Sequence, residues 1–404
     1  TVKTGIVGLI GPISQIIKAK YLSPEEFGYI AVIMVFIGLL DIVENFGISQ
    51  AVIQKENINK EESSSLFFLN IMLGGFLGAI LFLAAPSISK FYSMPKLEYF
   101  LRWLCLIIVI GGPAHLFRAL LEKGLHFKQL SLIDITRNLI MLTAVTSFLI
   151  SGYGILGVVY GYIISALFNA VLLIFISLKT NTISISFCFK LTKVYPFLKF
   201  GAFVSGKQIM TYLAHRTDEV IIGYFLEPEV LGIYYFGKNM LEKLRGLITT
   251  SFSKVLFPVF SQLKNDRLKL SCAYLKISKY IAIVSFPIFT GIAATAHLFV
   301  PLIFGEQWNE SVIVFQVFSL TLLLLVLTAN VSTSLLYSIN KPDAVFYIDA
   351  ITNVLYFSSL LLFAPHGMIA ILVVYCAYII GKTLFLQYYT NKQLANSFLY
   401  YLSQ

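Results

Sequence analysis

The sequence is short of charge. Only 12% of its 404 residues are Asp, Glu, Lys or Arg, against roughly 25% in an ordinary soluble domain. A soluble chain of this size must cover its outer face with polar groups. Here 58% of the residues are hydrophobic and 15% aromatic, with a mean hydropathy of +0.82, which excludes a soluble globular protein. Cysteine is also scarce. Cys105, Cys188, Cys272 and Cys376 stand far apart with no CxxC pair, so neither a zinc site of paired thiolates nor a disulfide framework is suggested. None of the five histidines, His115, His126, His215, His297 and His366, lies at i,i+4 from another, so no helical metal pair, and no metal, is expected. Long polar connections are missing as well. The longest inner one, about 178 to 199, contains no acidic residue and no His, which argues against an enzyme such as a membrane glycan polymerase, ligase or glycosyltransferase.

What the sequence does contain is a succession of apolar segments. A spanning helix takes about 20 residues, so the chain accommodates about twelve spans and little else. Charge clusters and Pro/Gly turns place them near 4–19, 29–53, 66–86, 99–119, 131–150 and 154–178, then 200–225, 231–254, 273–296, 310–337, 344–364 and 367–390. The run after Lys3 is expected to be a shortened first span and not a signal peptide, since no small-residue cleavage pattern follows it.

The connections alternate in character. One set holds Lys55 and Lys60, then Arg118, Lys123, Lys128 and Arg137, then Lys179, Lys190, Lys193 and Lys199, and continues basic to Lys392. The alternate set holds Lys18, Lys20, Lys90, Lys96 and Arg102 early, and no basic residue in the turns at 151–153, 227–229, 305–310 and 365–367. The positive-inside rule therefore expects both termini to be cytoplasmic. The net charge of +10 then faces anionic headgroups of the membrane lipids and needs no nucleic-acid partner.

Two strings match at an offset of half the chain. Tyr21-Leu22-Ser23-Pro24-Glu25-Glu26-Phe27-Gly28 aligns with Phe225-Leu226-Glu227-Pro228-Glu229-Val230-Leu231-Gly232. Six spans per half is an even number, so the halves enter the membrane in the same direction and form a parallel repeat. The expected fold class is an all-α polytopic membrane protein: a six-helix lobe over 1–178, a basic cytoplasmic linker over 179–199 and a second six-helix lobe over 200–404. Transporters bind substrate near the midplane between such halves. Two glycine motifs are read as structural. Gly152-Tyr153-Gly154-Ile155-Leu156-Gly157 satisfies GxGxxG but joins two apolar spans and follows no strand, so it is expected to be a turn. The GxxxG pairs Gly74/Gly78 and Gly157/Gly161 are expected to pack helices.

Leu22-Ser23-Pro24-Glu25-Glu26-Phe27-Gly28 and Asn45-Phe46-Gly47-Ile48-Ser49-Gln50 resemble the opening of Wzx-type polysaccharide (O-antigen) flippases of the MOP exporter superfamily. Arg216-Thr217-Asp218-Glu219, Leu231-Gly232-Ile233-Tyr234, Phe257-Pro258-Val259-Phe260 and Pro301-Leu302-Ile303-Phe304-Gly305-Glu306-Gln307-Trp308 follow in the order expected of that family. Some relatives carry two further C-terminal helices beyond the place where this chain stops. The resemblance implies translocation of an undecaprenyl-diphosphate-linked oligosaccharide across the bacterial inner membrane, with a cationic central cavity for the diphosphate and sugar. A polysaccharide polymerase and a chain-length regulator are the implied protein partners.

Ionisable residues within spans usually face an interior pathway. The seventh expected span carries Lys207, Arg216 and Asp218, and the eighth carries Lys238, Lys243 and Arg245. Converging Lys and Arg donors hold a diphosphate, Arg bidentately, so Arg216, Lys207, Lys238, Lys243 and Arg245 are the expected anion contacts. The alternative is that they neutralise neighbours, as Lys238 with Glu242 or Arg216 with Asp218 or Glu219. Asp218, Asp41 and Glu44 are candidates for a coupling H+ or Na+, or for counter-ion duty; no other cofactor is expected. The nearest rival function is a drug or cation antiporter of the same superfamily, which would want an acidic cavity.

Overall fold

The computed structural model describes residues 2–180 and 189–394, and among these it contains helices and turns but no strand. In chain order the helices are α1 (Val2–Tyr21), α2 (Pro24–Asn45), α3 (Ile48–Gln54), α4 (Lys60–Phe91), α5 (Leu97–Lys123), α6 (Phe127–Ile150), α7 (Ile155–Lys179), α8 (Leu191–Phe225), α9 (Pro228–Leu263), α10 (Arg267–Phe304), α11 (Ser311–Leu324), α12 (Asn330–Ser338), α13 (Pro342–Phe363) and α14 (Met368–Leu394). Among the described residues nine helical stretches are long and apolar enough to cross a membrane: α2 with α3, then α4, α5, α6, α7, α10, α11 with α12, α13 and α14. Of the remaining long helices, α1, α8 and α9, the last two are more polar and carry all five expected anion contacts. Large apolar side chains such as Phe203, Leu302 and Leu355 lie exposed. Lipid tails are as apolar as they are, so such a surface suits a bilayer.

Helix starts follow from the sequence. Ser23 caps α2: its Oγ accepts from the Glu26 N–H (3.3 Å), while Glu26 Oε2 accepts from the Ser23 N–H (2.9 Å). The other oxygen of the same carboxylate accepts from the Ile155 N–H at 3.1 Å, so Glu26 ties the first turn of α2 to that of α7. Glu227-Pro228 also puts Pro at the first helical position of α9, but Glu227 makes no side-chain cap, and Val230 stands where the first string has Glu26 and cannot make that tie. Gly152 (φ +80°) and Gly154 (φ +54°) form the turn between α6 and α7, a conformation that costs glycine little.

The chain forms two compact units, Thr1–Tyr224 and Phe225–Gln404. In the first, α4 packs on α5 and α6 on α7 through small residues. A Cβ on Gly78 would come within 2.9 Å of Val109 Cγ2, and one on Gly161 within 2.4 Å of Val145 Cγ2, which is how close approach without a water-driven hydrophobic effect is obtained. Helix α8, expected to open the second lobe, makes its described contacts here. Val194 and Phe197 join a core with Val52, Leu66, Leu116 and Ala119. Gly201 lies so close to Phe46 that a Cβ would fall 1.9 Å from its carbonyl oxygen. Phe46 (φ +41°) and Gly47 (φ +61°) break α2 from α3 at that point, inside what the hydropathy profile reads as one uninterrupted span. Of the linker expected at 179–199, residues 181–188 lie outside the described residues, and from Leu191 onward it is helix. Lys190 Nζ meets Glu61 at 2.6 Å. Lys18, expected on a connection, is buried in α1 with Nζ 3.5 Å from the Tyr162 hydroxyl.

In the second unit, Gly305 (φ +102°) turns the chain so that Trp308 is fully buried, its ring 4.2 Å from that of Phe236. The string ending in Trp308 therefore anchors α9 to the end of α10. A wide π-turn, Leu325–Ala329, separates α11 from α12. Below it the buried Tyr274 hydroxyl reaches Ser332 Oγ (3.0 Å) and donates to Gln387 Oε1 (2.7 Å), joining α10, α12 and α14.

Candidate functional site

Within the first unit three helices each contribute two charged or titratable side chains one turn apart: Asp41 and Glu44 from α2, His115 and Arg118 from α5, Asp134 and Arg137 from α6. Spacing of i,i+3 puts each pair on one helix face, and the three faces converge on a polar cavity of about 440 Å³ that Glu122, Asn45, Gln50 and Asn169 also line. Arg118 binds Asp134 bidentately (2.8 and 3.1 Å) and Glu122 through Nε at 3.2 Å. His115 Nε2 stands 3.5 Å from Asp41 Oδ1 and 3.7 Å from Glu44 Oε2.

Glu44 is 2% exposed and sits in a niche of glycines. A Cβ on Gly74 or Gly112 would come within 2.9 Å of its Oε1, and one on Gly111 within 3.1 Å of its Oε2. No side chain can replace those hydrogens without displacing the carboxylate. Asn70 lies beside the same niche, its carbonyl oxygen 2.4 Å from the position of a Gly112 Cβ. Four carboxylates, those of Asp41, Glu44, Glu122 and Asp134, line the cavity against two arginines. Carboxylates therefore outnumber arginines in this first-unit cavity.

The five expected anion contacts are divided between the units, and none of them lines this cavity. On α8, Lys207 is exposed. Arg216 Nη1 holds Glu219 at 2.6 and 2.8 Å, and its guanidinium lies 5.9 Å from the centre of the Tyr212 ring. Asp218 and Glu219 are both buried. The Tyr212 hydroxyl lies over Gly38, near the carbonyl oxygens of Met34 (2.9 Å) and Val35 (3.1 Å), latching α8 onto α2. On α9, in the second unit, Lys238 is buried with Nζ 5.8 Å from the Tyr234 ring centre, while Lys243 and Arg245 are half-buried. Of the expected coupling residues, Asp41 and Glu44 line the first-unit cavity and Asp218 does not.

Sequence reasoning missed His115, Arg118, Asp134 and Arg137. Arg118 and Arg137 had been counted among cytoplasmic connection charges. The signal that could have found them is the repeated i,i+3 spacing of charge on three successive helices. The second unit holds a cavity of a different kind, about 580 Å³ between α13 and α14, lined mainly by apolar and aromatic side chains. At its edge Lys382 Nζ pairs with Asp349 at 2.8 Å.

The chain matches the family model described as "Polysaccharide biosynthesis protein" over residues 17–313. It is 29% identical to the lipopolysaccharide biosynthesis protein WzxC of Escherichia coli (strain K12) over 318 residues, which cover 77% of this chain and 63% of that protein. The chain thus spans less than two thirds of that relative's length. Among solved structures it is similar to the lipid II flippase MurJ in an inward closed conformation, with a TM-score of 0.76 at 15% identity over 98% of this chain and 88% of that one. It is also similar to an inward-facing multidrug resistance MATE family transporter of the MOP superfamily, with a TM-score of 0.67 at 14% identity over 98% and 95% of the two chains. At such identities the likeness establishes the fold: an all-helical, multi-pass membrane protein built as the MOP-superfamily transporters are.

Proposed function

Because the chain belongs to the polysaccharide biosynthesis protein family, we propose that it flips undecaprenyl-diphosphate-linked oligosaccharide from the cytoplasmic to the periplasmic leaflet of a bacterial inner membrane. The observation that carries this is the contrast between nine apolar helical stretches and the long polar helices α8 and α9. Charge at membrane depth is costly and is kept where it serves a pathway. Twelve spans, α1, α8 and α9 included, form two six-helix lobes, 1–178 and 200–404, in a parallel repeat with both termini cytoplasmic.

The lobes work by alternating access. The contact of α8 with α2 at Tyr212 and Gly38 is then one that must break when the opposite face opens. Arg216, Lys207, Lys238, Lys243 and Arg245 meet the diphosphate, and Asp218, Asp41 and Glu44 carry the coupling H+ or Na+ or act as counter-ions. A polymerase and a chain-length regulator consume the delivered unit.

In cells deleted for their own flippase, the wild-type chain restores surface polysaccharide. Arg216→Ala, expressed at the same level, leaves the lipid-linked unit on the inner leaflet; normal surface polymer from that variant would remove Arg216 from the pathway. A second function, cation or drug export, draws support from the excess of carboxylates in the first-unit cavity. It predicts drug resistance on expression and no rescue of surface polymer.

A further inference from the structure

We propose that Asp41, Glu44 and His115 form a binding site for a divalent cation of the zinc class. The three offer one ligand atom each, all within 4.8 Å of one another. His115 Nε2 lies 3.5 Å from Asp41 Oδ1 and 3.7 Å from Glu44 Oε2, too far for hydrogen bonds, which run about 2.7–3.2 Å. Two ligands on one tetrahedral ion with bonds of about 2.1 Å stand roughly 3.4 Å apart, close to both distances from His115 Nε2, so His115 and each carboxylate are spaced as ligands of one ion.

A second observation points the same way. Glu44 is 2% exposed, and its Oε1 has no hydrogen-bond partner, as Nε2 of His115 has none. A buried carboxylate oxygen left without a hydrogen bond is unfavourable, and Gly74 and Gly112, which flank Oε1, carry no side-chain donor. The described ion pairs of Asp41 and Glu44 go to His115 alone, while Arg118 is committed to Asp134 and Glu122. One imidazole nitrogen with two carboxylate oxygens is a ligand set that zinc accepts, with the fourth position open to water. Asp41 is the open side of the site, its side chain 64% exposed towards the cavity, and provides a route for the ion to enter. The site lies wholly in the first unit and depends on its geometry, independently of what the protein transports.

The test uses the full chain, purified in lipid nanodiscs and stripped of metal, titrated with Zn2+ by calorimetry and with Co2+ by visible absorption. The expected result is one Zn2+ per chain and the absorption of tetrahedral cobalt. His115→Ala and Glu44→Gln should each weaken binding by more than about tenfold, while His366→Ala leaves it unchanged. Asp41→Asn, at the open side of the site, keeps the test readable if Glu44→Gln fails to fold, and should weaken binding likewise. Binding that survives both His115→Ala and Asp41→Asn places the ion elsewhere and overturns the proposal. So does a wild-type protein that takes up no Zn2+ while His115 titrates with pH, since the triad then holds only a proton.

Discussion

The two cavities differ in what they spend polar groups on. In the first unit, α2, α5 and α6 collect four carboxylates, two arginines and a histidine around about 440 Å³. In the second, α13 and α14 enclose about 580 Å³ with little more than Lys382 at the rim, and the polar network of Tyr274, Ser332 and Gln387 is buried and runs on to Asn391. A bilayer tolerates charge only where protein surrounds it or water reaches it. The first unit gathers a cluster of charge around one cavity, while the cavity between α13 and α14 in the second is mainly apolar.

That contrast can be broken by substitution. The largest expected effect is Asp134→Ala, which strips Arg118 of its bidentate partner. Loss of one member of a buried pair costs about 3–5 kcal/mol, and because the Arg118 side chain is 33% exposed the lower end applies, read as lost thermal stability in detergent. Next comes Gly112→Ala, whose Cβ would stand 2.4 Å from the Asn70 carbonyl oxygen and 2.9 Å from Glu44 Oε1. Overpacking of this kind costs about 2 kcal/mol and should displace the Glu44 carboxylate, visible as altered chemical shifts of His115. Tyr212→Phe removes the hydroxyl that latches α8 to α2 and should cost about 1 kcal/mol, with faster proteolysis or labelling near Gly38 as the readout. Lys382→Met, at the rim of the apolar cavity against a half-open Asp349, should change stability by less than about 1 kcal/mol. If Lys382→Met proved as damaging as Asp134→Ala, the distinction between the units would fail.

Much of the fold is legible in the hydropathy pattern, because each expected apolar segment overlaps a helix. What the pattern understates is length. The segment expected at 66–86 is part of Lys60–Phe91, and that at 273–296 part of Arg267–Phe304. Hydropathy reads only the lipid-depth portion, and the helices run on into polar ends. The break at Phe46–Gly47 and the π-turn at Leu325–Ala329 left no mark on the apolar profile, since both occur within apolar runs and are fixed by tertiary packing. The site was less legible. Asp41 and Glu44 were singled out on α2, but their partner His115 lies on α5, and contact between helices has no periodic signature in one sequence. Arg118 and Arg137 count among the basic connection charges although they fall at the ends of the expected spans 99–119 and 131–150, and both lie on helices. The pairing of Arg216 with Glu219 follows from the i,i+3 spacing.

Transport itself is the most direct readout of the proposed flippase. Proteoliposomes holding the purified chain and an undecaprenyl-diphosphate-linked oligosaccharide in one leaflet should show its appearance in the other, at a rate well above protein-free liposomes and lost with Arg216→Ala. Transfer no faster than in protein-free liposomes, or transfer unaffected by that substitution, would contradict a flippase that grips its substrate through the polar helices α8 and α9.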